Sequence, residues 1–191
     1  MVTKKGVMST NEICLIILRH EIIRNRRIAD ALQDLNSLEN IEILHLKTMT
    51  PTRELIMAHY NKDEAWLKKV GKKTIGLLRA NALPVKRDAL GYGRLIFESL
   101  INYNTEGKIV AIILRGPDAC AQLRGFVGDT DPMRAEPGTM RAKYANDSMR
   151  QAAPEARVVR NAIHCSEEPM AGLRETKLFF PEFDLNDLIE S

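Results

Sequence analysis

Two short runs of aliphatic residues constrain the fold of this chain more than any other feature. Ile13 to Leu18 and Ile109 to Leu114 are apolar at every position. A strand with one face in water alternates polar and apolar residues, whereas an unbroken aliphatic run indicates burial on both faces. The runs therefore predict two buried strands, and both are far shorter than the roughly 20 residues that cross a bilayer.

The segments between and around these runs predict further helices and strands. Apolar residues at helical spacing indicate a helix from about Asn25 to Ser37, and Ile41 to Lys47 has the composition of a second strand. Thr50-Pro51 is expected to begin a short helix that ends near Tyr60, because proline is favoured in the first helical position. Later elements are expected to be helices over Gly91–Asn104, from Gly116-Pro117 and near Glu168–Lys177, a surface loop over Thr130–Tyr144, and a last strand over Arg157–Cys165.

This order of elements predicts an α+β fold. The order matches a ferredoxin-like βαββαβ sandwich, in which helices cover one face of a four-stranded antiparallel sheet. Along the chain it is strand, helix, strand, insertion, helix, strand, helix and strand. A length of 191 residues favours a single domain, 1–191, over two. The segment at about 61–90, which holds a possible helix around Ala65–Leu78, is interpreted as an insertion.

Composition excludes several classes of protein. No signal-peptide core follows the first lysines, so we expect a protein of the cytoplasm that is neither exported nor bound to a membrane. Three cysteines without a CxxC pair argue against a disulfide framework and against a zinc site. A net charge of +3, from 28 basic and 25 acidic residues, is too small to indicate nucleic acid as a partner.

Residues that could carry chemistry concentrate in the last third of the chain. The sequence has no GxxxxGK[ST] phosphate-binding loop, and Gly91-Tyr92-Gly93 is too short for a dinucleotide fingerprint. The remaining candidates are polar or charged side chains that could bind or transfer a phosphate: Arg124, Thr130, Arg141, Asn161, His164, Ser166 and Glu175.

Three phrases around these candidates resemble the ordered signatures of nucleoside diphosphate kinases. They are Gly128 to Pro132 (GDTDP), Pro137 to Arg141 (PGTMR) and Arg160 to Ser166 (RNAIHCS). The family also has an arginine six residues before the loop threonine, here Arg124, and a glutamate eleven residues after the histidine, here Glu175. Three phrases in the right order are much more specific than one.

The resemblance implies a role for each matching residue. His164 would attack the γ-phosphate of a nucleoside triphosphate and hold it as phosphohistidine until a diphosphate accepts it, with ping-pong kinetics. Glu175 would fix the histidine tautomer, and Ser166 would position Glu175. The remaining implied site residues are Arg124 and Arg141 as phosphate clamps, Thr130 as a hydroxyl donor, Asn161 for the ribose, Val158 and Trp66 around the base, and Tyr60.

The resemblance also implies ligands and assembly. The substrates would be ATP and other nucleoside di- and triphosphates, with Mg²⁺ bridging the phosphates through few or no protein ligands. The family forms homo-oligomers, commonly hexamers or tetramers. Relative to the family pattern, a second and shorter insertion is expected at about 145–157.

One family feature is expected to be lost. The first strand of the family ends in a lysine, and alignment without a gap places Leu18 there, which would lower the rate of transfer. Arg19, or a basic residue between Lys68 and Lys73, is the hypothesised substitute, although Arg19 would need a bulge or a one-residue slip to reach the same side of the sheet.

Other interpretations remain open from the sequence alone. Leu18 favours a degenerate relative that binds nucleotide or serves as an oligomeric scaffold without useful transfer. A ferredoxin-like nucleic-acid module is the third alternative, and a content of only 5% aromatic residues argues against it. His20, His45 and His59 are expected to be structural or surface residues.

Overall fold

The computed structural model describes residues 11–184. In that part of the chain one sheet is formed by β1 (Asn11–Leu18), β2 (Glu42–Met49), β3 (Ile109–Pro117) and β4 (Ile163–Cys165). The strand order is β2-β3-β1-β4, and every neighbouring pair is antiparallel. Both aliphatic runs lie in the two central strands, so the α+β, ferredoxin-like prediction is confirmed.

Helices connect and cover these strands. The α-helices are α1 (His20–Arg24), α2 (Ile28–Asn36), α3 (Arg53–Tyr60), α4 (Glu64–Ala80), α5 (Ala89–Thr105), α6 (Ala119–Val127), α7 (Met140–Tyr144), α8 (Met149–Ala152) and α9 (Pro169–Phe179). Single 3₁₀ turns lie at Pro132–Arg134 and Ala153–Glu155.

The sheet carries helices on both faces, not on one as the βαββαβ comparison suggested. Cys14, Ile16 and Leu18 of β1 pack with α1, α2 and α6 on one face. Ile13, Leu15 and Ile17 point to the other face, where they pack with α3, α5 and α9. The unbroken aliphatic composition of β1 and β3 is the physical reason, because every position needs an apolar neighbour.

Several predicted boundaries are wrong for local reasons. The helix expected over Asn25–Ser37 is two helices, because Arg26 adopts a left-handed conformation with φ 57° between them. Thr52, not Thr50, caps α3 by accepting from the Leu55 amide at 3.2 Å. Pro117 ends β3 and does not begin a helix, since α6 starts only after Asp118.

The last strand is also shorter than predicted. Only Ile163–Cys165 pair with β1, and the preceding residues from Arg157 are irregular. The expected loop over Thr130–Tyr144 contains α7, whose Met140 and Tyr144 are buried.

The segment at about 61–90 is a long helix packed closely against α5. The backbones of α4 and α5 approach each other so tightly that a Cβ on Gly71 would lie 1.7 Å from the Ala89 carbonyl oxygen, and one on Gly93 would lie 2.1 Å from that of Leu67. Glycine is therefore required at both crossing points. The contact places α4 beside the cavity described below.

Candidate active site

His164 is the middle residue of β4 and lies opposite Ile17 of β1. Directly opposed residues of an antiparallel pair point to the same face of a sheet, so His164 lies on the face covered by α3, α5 and α9. There it borders a cavity of about 1020 Å³, at the upper end of the volumes typical of ligand sites. Every site residue predicted from the sequence lines this cavity except Ser166, which lies beneath it.

Glu175 of α9 orients the His164 ring. The histidine Nε2 lies 2.9 Å from Glu175 Oε2, and the Ser166 hydroxyl donates to the same oxygen at 2.8 Å. Ser166 is itself fixed, because its oxygen accepts the Leu15 amide of β1 at 3.0 Å. The side chains of His164, Glu175 and Ser166 therefore form a chain of hydrogen bonds that is anchored to the backbone of β1.

The protonation states of these hydrogen-bonded side chains suit a nucleophile. Burial opposes the charged form of Glu175, but hydrogen bonds from His164 and Ser166 outweigh it and lower the pKa of the carboxyl. An ionised carboxylate only accepts hydrogen bonds, so Nε2 carries the proton and Nδ1 keeps its lone pair. Burial also lowers the pKa of His164, despite the opposing effect of Glu175. A neutral imidazole at pH 7 follows.

Arg19 brings a positive charge into the same cavity. It is 4% exposed, and its guanidinium donates from Nε to Asn104 Oδ1 at 3.0 Å, from Nη2 to the Tyr60 hydroxyl at 3.1 Å and from Nη1 to Asn161 Oδ1. No carboxylate is hydrogen-bonded to it among residues 11–184. Its charge is therefore held in place without being neutralised by direct contact.

The expectation that Leu18 would face the phosphate site is wrong. Leu18 is fully buried in the core against α1, α2 and α6, on the other face of the sheet from His164. Arg19 reaches the cavity without a bulge or a slip, because it is two residues beyond Ile17, which faces the same side as His164.

Arg141 and Arg124 place two further guanidinium groups in the cavity wall. In the described part of the chain Arg141 donates only to backbone carbonyls, to Gly128 at 2.7 Å and to Ile163 at 2.9 Å. Burial, together with the nearby positive charge of Arg19, lowers the pKa of Arg141 to about 10, so it remains charged at pH 7. Arg124 forms no hydrogen bond or ion pair within residues 11–184. Three guanidinium groups thus border the same cavity as His164, and none of them is hydrogen-bonded to a carboxylate within residues 11–184.

Asn161 and Thr130 connect the loop that follows α6 to the residues before β4. The Asn161 amide accepts from Arg19 and donates from Nδ2 to the Thr130 carbonyl at 3.2 Å. A primary amide has two N–H groups and two lone pairs, so one donor and one acceptor remain for a ligand.

Apolar side chains from two segments also line the cavity. Trp66, Val70 and Leu77 come from α4, and the second segment contributes Met149, Ala152, Ala153 and Val158. Of the basic residues from Lys68 to Lys73, only Lys73 borders the cavity, and Lys68 pairs with Glu64. Both segments interpreted as insertions therefore contribute to the walls.

His59 is a buried neighbour of His164 whose proximity the sequence did not reveal. It is 2% exposed, and neither ring nitrogen has a hydrogen-bond partner among residues 11–184. Its ring lies edge to face with that of His164, with 4.5 Å between the ring centroids. Burial, reinforced by nearby positive charges, lowers the pKa of His59 well below its usual value. Within residues 11–184, His59, His164 and Glu175 form one group whose ligand atoms, all within 4.8 Å, could hold a metal ion. Two imidazoles and one carboxylate suit Zn²⁺ better than Mg²⁺.

Three residues of the site carried no signal in the sequence. Asn104 and Tyr103 come from the end of α5, and Glu21 comes from α1. Asn104 orients Arg19, while the Tyr103 hydroxyl bonds Glu21 and the Ala162 amide. No short motif contains them, because they meet the site only through the packing of α5 beside β1.

Comparisons with known proteins agree with the resemblance in the motifs. The chain is 32% identical over 173 residues to the nucleoside diphosphate kinase of Pyrobaculum aerophilum, covering 88% of this chain and 94% of that protein. It is 39% identical over 144 residues to that of Carboxydothermus hydrogenoformans, covering 75% and 71%.

Solved structures show the same fold. A crystal structure of an NDP kinase from Pyrobaculum aerophilum aligns with a TM-score of 0.84 at 29% identity, covering 94% of this chain and all of that one. The Borrelia burgdorferi enzyme, solved with bound vanadate and ADP, aligns with a TM-score of 0.71 at 18% identity over 92% and 89%. A family model described as nucleoside diphosphate kinase matches residues 89–185. The chain belongs to the nucleoside diphosphate kinase family.

Proposed function

We propose that this chain transfers the γ-phosphate of a nucleoside triphosphate to a nucleoside diphosphate through a phosphohistidine at His164. One observation carries the proposal: a neutral imidazole, oriented by Glu175, lies in a cavity with three guanidinium groups that have no carboxylate hydrogen-bond partner in the described part of the chain. Guanidinium groups that are free to bind a ligand beside a nucleophile favour an anionic, phosphorylated substrate.

The chemistry runs in two matched steps. Nδ1 of His164 attacks the γ-phosphorus, the bond to the β,γ-bridging oxygen breaks, and the diphosphate leaves with that oxygen. A terminal phosphate oxygen of a second diphosphate then attacks the phosphohistidine, and Nδ1 regains its lone pair. The Nε2 proton stays on the ring throughout, and Glu175 stabilises the cationic character that the ring gains when Nδ1 is phosphorylated.

The arginines would supply the electrostatic part of catalysis. The Arg124 guanidinium has no hydrogen-bond partner among residues 11–184 and is available to a ligand. Arg141 and Arg19 are held by hydrogen bonds, so their charges need little reorganisation when the phosphate moves. Thr130 would donate a hydroxyl hydrogen bond to a phosphate. The free donor and acceptor of Asn161 would bind the ribose hydroxyls, and Trp66 and Val158 would enclose the base. Tyr60 would hold Arg19 through the bond to its hydroxyl.

We propose Mg²⁺ as the accompanying cation. Mg²⁺ prefers oxygen ligands and retains water, and the one metal-like group among residues 11–184 is rich in nitrogen and does not suit it. The ion would therefore arrive with the nucleotide, and Asp129 in the cavity wall is a candidate for contact through water. When bound, Mg²⁺ neutralises phosphate charge.

The scaffold interpretation loses its main support, because it rested on Leu18, which does not reach the cavity. We further propose a single domain with two insertions that acts in the cytoplasm as a homo-oligomer, a hexamer or a tetramer as in the family. No helix in the described part of the chain is long and apolar enough to cross a membrane. Light scattering coupled to size exclusion would measure the number of subunits.

Labelling with γ-³²P-ATP tests the proposed reaction. The protein should take up one acid-labile phosphate, and an unlabelled diphosphate should remove it as a labelled triphosphate. His164→Ala should take up none while keeping its thermal melting temperature. The matched control is His45→Ala, because His45 stacks on Phe183 away from the cavity, and it should label like the wild type.

Two results would contradict the proposal. Label in His164→Ala would exclude that residue as the nucleophile. Wild-type protein that binds nucleotide but takes up no label would favour the scaffold.

A further inference from the structure

The chain makes a strained turn two residues before His164. Ala162 has a φ of 60°, a region that residues with a Cβ rarely adopt. The Ile163 amide donates to the Asn161 carbonyl at 2.7 Å, so three residues close a γ-turn centred on Ala162. A γ-turn with positive φ is rare, and it persists only where its surroundings hold it.

This turn sets the position of two residues of the site at once. Asn161 enters it and His164 follows it by one residue, while the Ala162 carbonyl accepts the Arg19 amide at 2.9 Å. Relaxation of the turn would therefore move the imidazole, the Asn161 amide and the backbone of Arg19 together.

Arg141 bonds the Ile163 carbonyl at the end of the turn, and the Tyr103 hydroxyl bonds its central residue, Ala162. The hydroxyl accepts the Ala162 amide at 3.1 Å and donates to Glu21 Oε1 at 2.5 Å. The side chain is 3% exposed, and burial raises the pKa of Tyr103, so the hydroxyl remains a donor at neutral pH. The guanidinium groups of Arg19 and Arg160 lie 5.0 Å and 5.3 Å from its ring centroid.

We propose that Tyr103, anchored by Glu21, is a positioning residue that keeps the Ala162 turn in its strained conformation and so aims His164 and Asn161 into the cavity. The inference rests on the proposed function, since it concerns the same nucleophile. Tyr103 acts through the backbone of Ala162, and its hydroxyl is fully engaged by protein partners.

The chain offers a matched pair of substitutions to test this role. Tyr103→Phe keeps the ring but leaves the Ala162 amide and Glu21 Oε1 without their partner. Tyr92→Phe is the control: Tyr92 is also a buried tyrosine of α5 whose hydroxyl accepts a backbone amide, that of Lys86 at 3.1 Å, and it does not border the cavity.

Single-turnover phosphorylation by ATP is the activity readout. Tyr103→Phe should lower the rate at saturating ATP by about 10- to 100-fold, because small misplacement of a nucleophile has effects of that order. The ATP concentration for half-maximal rate should change much less. Tyr92→Phe should phosphorylate at the wild-type rate.

A second substitution separates positioning from general packing. Glycine adopts positive φ freely, so Ala162→Gly in the Tyr103→Phe background removes the strain that the hydroxyl opposes. The double variant should recover at least part of the lost rate. A wild-type rate in Tyr103→Phe, or a loss that Ala162→Gly does not relieve, would overturn the proposal.

Hydrogen exchange distinguishes this proposal from the proposed reaction. Amides of Ala162 and Ile163 should exchange faster in Tyr103→Phe and remain protected in Tyr92→Phe, whether or not the protein transfers phosphate. If the wild type takes up no label, the reaction is wrong and exchange alone decides the role of Tyr103. Unchanged protection at both amides would refute it.

Discussion

Replacement of Arg19 tests most directly whether positive charge in the cavity supports transfer of the phosphate to His164. Arg19→Met keeps much of the side-chain length and removes the charge and three hydrogen bonds, to Asn104, Asn161 and Tyr60. Loss of one charge-stabilising donor at a transition state costs about 3 kcal/mol, or roughly a hundredfold in rate. We expect a fall of that size in single-turnover phosphorylation of His164.

Stability should change less than activity. The substitution leaves two amide oxygens without a donor, at about 1–3 kcal/mol each. Removal of a buried cation that repels Arg141 offsets part of this cost, since Arg19 contributes to the lowered pKa of Arg141. We expect a net loss of roughly 1–3 kcal/mol, so rates should be measured well below the melting temperature.

The pH dependence of the phosphorylation rate should shift in a defined direction when Arg19 is replaced. The charge of Arg19 helps to lower the pKa of His164, so Arg19→Met should raise that pKa. The imidazole must be neutral to attack, and the acidic limb of the rate profile should therefore move to higher pH. Arg19→Lys is the control, because it retains the charge and should keep the limb near its wild-type position.

Quenched-flow labelling from pH 5 to 9 would measure both effects. The single tryptophan, Trp66, borders the cavity and allows nucleotide binding to be followed by fluorescence in the same variants. A wild-type rate in Arg19→Met, or an acidic limb that moves to lower pH, would show that Arg19 does not support the transfer.

Three further predictions follow from burial and packing. The pKa of His59 in the folded state is below its unfolded value of about 6.5, so the unfolded state binds the extra proton and the free energy of unfolding falls as pH drops below that value. His59→Phe should make this decline shallower in urea titrations from pH 7.5 to 5. An equal slope in the variant would contradict a buried neutral imidazole. Gly93→Ala should destabilise the protein by at least about 2 kcal/mol, because its Cβ would lie 2.1 Å from the Leu67 oxygen. Gly76→Ala is the control, since its Cβ would meet nothing within 4 Å, and it should stabilise the protein by about 0.5–1 kcal/mol. Similar urea midpoints for the two variants would argue against the close crossing of α4 and α5. Trp66→Ala should weaken nucleotide binding by about 1–3 kcal/mol if the indole stacks on the base, which calorimetry would measure, and unchanged affinity would remove Trp66 from the site.

Sequence patterns predicted the elements whose character depends on local composition. The aliphatic runs identified β1 and β3, and helical spacing identified most of α5. The last helix was also expected near its observed position, α9. The predicted ends of strands and helices were wrong where a contact with residues distant in the sequence determines them. β4 is only three residues long because β1 ends at Leu18, and nothing near Arg157 in the sequence reports that limit.

The sequence by itself determined the family, the candidate nucleophile and most of its candidate partners, because those residues lie in three short ordered phrases. Tertiary structure decided which cation joins them. Strand parity buries Leu18 on the far face and directs Arg19 toward His164, although the two residues are adjacent in the chain. Tyr103, Asn104 and Glu21 were likewise invisible until α5 and α1 packed beside β1. A motif contains residues that are close in sequence. The electrostatic potential at His164 and the fixed position of its ring depend also on side chains that only folding brings together.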